Sequence, residues 1–374
     1  MPSERFQALN QVKQSLGALK QYCETEAFRG WDPYDGLNSR LFQATPLRNS
    51  AIARLILIQL CKRSPVNLRH LIAVPKSYNP KGVGLLLNAY CNLLRLARAG
   101  EEGFGSEDEL LLHVNGLANL LISLESSGYS GACWGYNFGW QARRLFYFPP
   151  NTPTIVATSF CANGLFNAYS MTGNQAYLER AVSSAEFVLR DLRRTPRPRG
   201  FILSYSPIPG NDTVHNASLL GAKLLSSCFR YTGNSAYSTA AKEIVAAACD
   251  AQADDGSWVY GLLPVQSWID SFHTGYNLDA IACYARNCAD ESVLPNLDRG
   301  LAFYLSSFFL SDGTPKYYHD KTYPIDIHCP GQLWVTLSEA GKFRENAKLC
   351  ASVADWTIRN MQDRRGYFYY QLKR

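Results

Sequence analysis

TSFCANGLFNAYSMTGNQAYLERAVSSAEFVLRDL, residues 158–192, is echoed by NASLLGAKLLSSCFRYTGNSAYSTAAKEIVAAACDAQ, residues 216–252. Each copy reads as an amphipathic helix, a Thr-Gly-Asn turn and a second amphipathic helix, which makes an αα-hairpin. Gly173 and Gly233 supply the left-handed residue that ends the first helix, and the polar residue after each starts the next. Two further pairs follow the same plan, 272–287 with 294–310 and 325–340 with 343–362, the latter turning at Gly341. The hairpins begin about 55 to 60 residues apart, the length of two helices and two connections.

Upstream the period is looser, with helices predicted over 4–24, 49–63, 79–98 and 108–125. Together these make twelve helices, or six hairpins. No stretch sustains strand-like alternation, although FILSYS (201–206) and GYFYYQ (366–371) suit short strands. The expected fold is an all-α (α/α)6 toroid forming one domain over residues 1–374, with short aromatic-rich loops or strands at the cleft end.

Composition supports a compact chain. Apolar residues make up 47% and charged residues 18%, which suits a large core and leaves little for a disordered tail. The net charge of +6 is spread out, apart from Arg193, Arg194, Arg197 and Arg199 and the pair Arg143 and Arg144, so no nucleic-acid stripe is expected. Eleven cysteines occur singly with no CxxC pair, and read as reduced core residues. The first residues, MPSERFQALNQVKQSL, show no signal region, and no segment is long and apolar enough to span a bilayer. A soluble, cytoplasmic protein is the expectation.

The loops after the second helix of each hairpin share a character: GACWGYNFGWQ (131–141), GFILSYSP (200–207), DGSWVYG (255–261), DGTPKYY (312–318) and RGYFYYQ (365–371). A glycine followed by aromatics at one place in every repeat puts the rings at one end of the stack. There they either line a polar-aromatic cleft suited to sugar rings, or seal the joints, as in Gln252, Gly256 and Trp258.

Three of the six histidines occupy equivalent positions: His215 in DTVHNAS, His273 in DSFHTGYNLD and His328 in PIDIHCPGQ. Each lies at the start of a hairpin's first helix, two or three residues after Asp212, Asp270 or Asp326. A carboxylate fixes an imidazole's tautomer and raises its basicity, while a helix N-terminus opposes protonation, a combination suited to acid–base catalysis. The competing reading is an N-capping Asp beside a packed histidine. No HxxxH or HxH pair anchors a metal, so neither metal nor cofactor is expected. The catalytic candidates are His215, His273, His328, Asp270 and Asp326.

The substrate-binding candidates at the same end are Asp35, Trp134, Tyr136, Asn137, Gln141 and Arg143 in the first half of the chain. Asn216, Trp258, Tyr260, Tyr276, Asn277, Lys316 and Tyr317 complete the set. Arg143 and Lys316 suit a carboxylate or phosphate, so the sugar or oligosaccharide substrate is allowed to be anionic.

With hairpins, loops and helix-start histidines in place, the chain resembles the N-acylglucosamine 2-epimerase and six-hairpin glycosidase group. That resemblance implies inner-helix histidines acting as acid and base at a sugar carbon next to a carbonyl. The segments WDPYDGLNS, WGYNFGWQ, VHNASLLGA, WIDSFHTGYNLDA, YPIDIH and NMQDRRGYFYY more specifically resemble bacterial proteins encoded in exopolysaccharide and capsule clusters. This second resemblance spans nearly the whole chain and carries no reaction with it. The leading expectation is a sugar or uronic acid epimerase or isomerase of polysaccharide metabolism. A glycoside hydrolase or lyase using carboxylates of Asp35, Asp212, Asp270, Asp279 or Asp326 is the alternative, and a non-catalytic sugar-binding component the third.

Overall fold

The computed structural model describes residues 2–64, 66–141 and 147–374, with side chains from Leu9 onward. The first helices are α1 (Pro2–Thr25), the single turn α2 (Arg40–Gln43), α3 (Ala51–Arg63), α4 (Pro80–Arg98) and α5 (Glu107–Ser123). Four hairpins follow: α6 (Ile155–Thr172) with α7 (Gln175–Glu186), α8 (His215–Thr232) with α9 (Ser235–Asp250), α10 (Ser271–Cys288) with α11 (Leu294–Phe308), and α12 (His328–Glu339) with α13 (Ala347–Met361). The helix beyond the expected twelve is α2, which has no amphipathic period and is held by the Ser39 Oγ accepting the Phe42 N–H at 3.1 Å.

Strands are confined to three antiparallel two-stranded pairs among the described residues. These are β1 (Trp140–Gln141) with β2 (Tyr147–Phe148), β3 (Arg194–Pro196) with β4 (Phe201–Leu203), and β5 (Ile325–Asp326) with β6 (Gln371–Leu372). The FILSYS strand forms at its apolar start; GYFYYQ contributes only its last residue.

Both Thr-Gly-Asn turns are built alike. Gly173 and Gly233 take φ of +70° and +68°, and their N–H groups close on the carbonyls of Tyr169 and Phe229. Asn174 and Asn234 then cap α7 and α9 by accepting the N–H of Ala176 and Ala236.

Contacts divide the chain into two compact units. The first comprises the N-terminal stretch ending at Glu24, Leu192–Tyr205 and Asn211–Arg374. Within it α8 packs on α9 and α10, α10 on α11 and α12, and α12 on α13. The second comprises Thr25–Asp191 and Ser206–Gly210, where α6 packs on α4, α5 and α7. The first helices of three hairpins, α6, α8 and α10, are buried nearly all round. On α8 and α10 this includes polar residues such as Asn216, Ser218, Thr274 and Asn277, whereas α7, α11 and α13 bury only a stripe. All eleven cysteines are free, most of them buried.

The loop glycines are the joints. A Cβ on Gly256 would stand 2.3 Å from the Arg299 carbonyl oxygen on α11, one on Gly313 2.4 Å from that of Ser352 on α13, and one on Gly366 2.2 Å from that of Ala18 on α1. Gly200 meets α9 at Glu243 and, in the second unit, Gly131 meets α7 at Ser183 in the same way. Each loop therefore lies against the backbone of an outer helix, the one that follows in the chain or, for the last loop, α1. Gln252 seals its joint by donating to the carbonyls of Gly256 (3.0 Å) and Asn296 (2.9 Å); Gln362 repeats this with Gly366 and Ser15.

Gly256→Ala, which drives a methyl into a backbone carbonyl at a φ of +91°, is expected to destabilise the protein by about 3 kcal/mol or more. Gly173→Ala meets no atom within 4 Å and costs about 1 kcal/mol for its left-handed backbone alone. Urea unfolding of the two variants checks this contrast.

Candidate functional site

The first unit holds a small cleft, partly open to solvent and lined by Asn216, Trp258, Val259, Tyr260, Asp270, His273, Thr274 and Asn277. Its residues come from the start of α8, the loop after Gly256 and the first two turns of α10.

Asp270 organises the α10 side. As N-cap it accepts the His273 N–H at 3.1 Å through Oδ1, while Oδ2 lies 2.8 Å from His273 Nδ1 and accepts the Trp268 indole N–H at 3.0 Å. A carboxylate can only accept, so the ring proton sits on Nδ1 and leaves Nε2 as the basic nitrogen. His328 is held similarly: Asp326 Oδ1 accepts its N–H at 2.9 Å and meets Nδ1 at 2.7 Å, and Asp326 Oδ2 accepts from Gln371 at 2.7 Å. Burial pushes the Asp326 carboxyl up, but the bonds and charge of His328, with Gln371, hold it below the usual carboxylate range.

The Phe272 ring connects the two imidazoles, with its centroid 4.1 Å from that of His273 and 5.2 Å from that of His328. Tyr260 stacks on Trp268 at 4.5 Å and meets His273 edge-on at 4.7 Å.

The third pairing does not form. Asp212 accepts from Thr195 Oγ1 at 2.7 Å, and His215 Nδ1 is buried without a partner. The reason is where the helix begins. Asp270 is itself the cap, so its third residue folds back over it, whereas α8 starts only at His215 and leaves Asp212 on the extended approach. Burial, with Arg197 nearby, lowers the His215 pKa to about 4.

Two more buried polar atoms lack partners at this place, the Oδ1 of Asn216 and of Asn277, both on residues that line the cleft. Unsatisfied buried acceptors are costly, and facing a cavity they suit ligand donors.

Of the remaining expected residues, Trp258 forms a wall of the cleft while giving its indole N–H to the Ala248 carbonyl at 2.9 Å. Tyr276 is buried on α10, its phenol pushed far up by burial and the surrounding carboxylates; burial and Asp270 do the same at Tyr317. Lys316 donates to the His319 carbonyl and is not part of the cleft lining, so it offers no anion clamp there.

Asp35, Trp134, Tyr136, Asn137 and Gln141 belong to the second unit. There Asp35 is buried in an ion pair with Arg69 at 2.6 Å; burial raises its pKa to about 6 against the pull of that guanidinium. Trp134, expected as a sugar platform, is fully enclosed with its indole N–H on the Leu121 carbonyl at 2.8 Å, and so has no open face. Tyr136 stacks on Phe138, the Asn137 carbonyl accepts from Asn38, and the Gln141 amide oxygen accepts from Arg54. Arg143 lies outside the described residues.

Trp268, Phe272 and Thr274 escaped the sequence reading although they flank Asp270 and His273 in WIDSFHTGYNLD. Lys223 was missed as well. Its Nζ lies 2.8 Å from both oxygens of Asp279 between α8 and α10, and despite burial that carboxylate holds the ammonium above its ordinary range. A lysine in the middle of an apolar helix carries no motif; only its carboxylate partner on α10 reveals it.

No protein-family model matches the chain, and no curated protein sequence matches it. Solved structures are similar to it. A sugar epimerase from a ruminal bacterium is 12% identical with a TM-score of 0.58, over 80% of this chain and 82% of that one. A GH76 α-mannanase from Bacteroides thetaiotaomicron is 15% identical with a TM-score of 0.58, over 91% and 90%. An unsaturated glucuronyl hydrolase specific for heparin is 12% identical with a TM-score of 0.61, over 97% and 89%. These likenesses establish the fold class, an all-α (α/α)6 toroid of helical hairpins.

Because the folded state resists protonating His215, the unfolded chain takes up that proton first, and stability is lost as pH falls from 6.5 to about 4. The loss is roughly 3 kcal/mol. His215→Asn is expected to flatten this acid limb, as read by urea unfolding at a series of pH values.

Proposed function

We propose that the chain is a carbohydrate-active enzyme that moves a proton at a sugar carbon, as an epimerase or isomerase does. The observation that carries this reading is His273 in the cleft, its Nδ1 tied to Asp270, beside two asparagine oxygens with no partner of their own. His273 Nε2 accepts the proton from a carbon made acidic by a neighbouring carbonyl, and His328, held in the same way by Asp326, is the second acid–base group. Asn216 and Asn277 accept hydrogen bonds from sugar hydroxyls, and Trp258 and Tyr260 flank the ring. His215, neutral over the working pH range, serves as a hydrogen-bonding group and not as a proton carrier.

Among the described residues the cleft lining contains one carboxylate and no lysine or arginine, which favours an uncharged sugar over an anionic one. Bacterial polysaccharide metabolism is the setting we propose, on the segment resemblance given above. The similar structures include a sugar epimerase and a cellobiose 2-epimerase from Bacillus thermoamylovorans, which supports the reading.

They also include hydrolases, so hydrolysis is the competing reading. It needs two carboxyl groups free to act across a glycosidic bond. The five aspartates considered for that role are engaged: Asp35 by Arg69, Asp212 by Thr195, Asp270 by His273 and Trp268, Asp279 by Lys223, and Asp326 by His328 and Gln371. Histidine chemistry fits this arrangement better.

Incubation with reducing mono- and disaccharides in D2O, followed by NMR, is expected to show deuterium uptake at the carbon beside the carbonyl. His273→Asn and His328→Asn are each expected to slow uptake by about 10²–10⁴-fold. Undiminished exchange in both variants, or release of reducing ends without deuterium uptake, overturns the reading. Asn277→Ala is expected to weaken sugar binding about tenfold, since its oxygen has no partner within the protein, and titration calorimetry measures that loss.

A further inference from the structure

Helix α3 exposes three large apolar side chains, and they fall on one stripe. Ile52, Ile56 and Leu60 are four residues apart and 70%, 55% and 54% exposed, while only Ile58 and Cys61 of this helix are buried. Leu47, in the turn that leads into α3, and Leu41, on α2, are equally exposed. Large apolar side chains clustered on adjoining elements of a surface mark something that covers them.

The charge around the stripe says what does. From Gly36 through Ser64, the segment that carries the stripe, the chain has no aspartate or glutamate against one lysine and four arginines. Arg40 on α2 and Arg48 in the turn before α3 are exposed beside Leu41 and Leu47, Arg48 bonding to the Gln43 carbonyl, whereas Arg54 and Lys62 turn away from the stripe to the Gln141 amide and the Tyr34 phenol. None of these acceptors is a carboxylate.

We propose that the α2–α3 surface docks on an anionic lipid surface. The Ile52, Ile56 and Leu60 stripe, with Leu47, enters the boundary between headgroups and acyl chains, and the exposed Arg40 and Arg48 face the lipid phosphates. Among the described residues no helix is long and apolar enough to cross a membrane, and the contact proposed is a peripheral one. A second copy of this chain is a poorer occupant, because a two-fold interface would set the same cations against themselves. The proposal is independent of the sugar site.

The test is flotation of the full chain with vesicles of phosphatidylcholine alone or mixed with phosphatidylglycerol. The chain is expected to partition onto the mixed vesicles, with little binding to phosphatidylcholine, and to be released by salt. Ile56→Glu is expected to lower partitioning by more than about tenfold, and Arg48→Glu by about fivefold or more. Both positions are exposed, so helical circular dichroism is expected to be unchanged in both variants. The proposal is overturned if mixed vesicles fail to bind the chain, if both vesicle types bind it equally, or if it sediments as a dimer that Ile56→Glu dissolves.

Discussion

A glycine with no room for a methyl group sets the geometry of this protein. At Gly256 and Gly313 the loop backbone touches a carbonyl of the outer helix that follows, and at Gly366 one of α1, at distances where no Cβ fits. Each contact pins the end of one hairpin to the next. What comes after the glycine is thereby directed as well: Trp258 turns inward to bond the Ala248 carbonyl, Tyr260 follows it into the cleft, and the chain reaches Asp270 at the head of α10 already oriented. A joint that looks purely structural thus positions the cleft wall and the helix start that carries His273.

The inner helices bring the polar chemistry into the core at a considerable energetic cost. Asp270 and Asp326 are almost fully buried, and each is kept compatible with burial by an imidazole, a backbone N–H and one more side-chain donor. Lys223 and Asp279 neutralise each other further along α8 and α10. Among the buried side-chain atoms without a partner are those of His215 and Asn216 at the start of α8 and of Asn277 on α10. Of these residues Asn216 and Asn277 line the cleft, which leaves their oxygens available to a ligand donor.

Much of this was legible in the chain. The Thr-Gly-Asn turns, the pairing of helices and the helix-start histidines follow from local rules, because a left-handed glycine and an apolar period act within a few residues. Two of the three Asp–His pairs follow from spacing too. The failure at Asp212 shows the limit of that argument, since Asp212 and Asp270 both stand three residues before a histidine. Only the point at which the helix begins separates them. Trp134 was misjudged for a related reason: its loop matches the others in composition, but its ring turns into the core of the second unit.

By itself, then, the sequence determined the all-α class, the four C-terminal hairpins and the helix-start placement of three histidines, all products of interactions along a few turns of chain. Tertiary structure alone decided that Phe272 joins two imidazoles, that Lys223 meets Asp279, and that Asn216 and Asn277 keep their oxygens unpaired. Those outcomes depend on which faces of separate helices come together, and that is settled by close packing between elements far apart in the chain and not by any pattern within one of them.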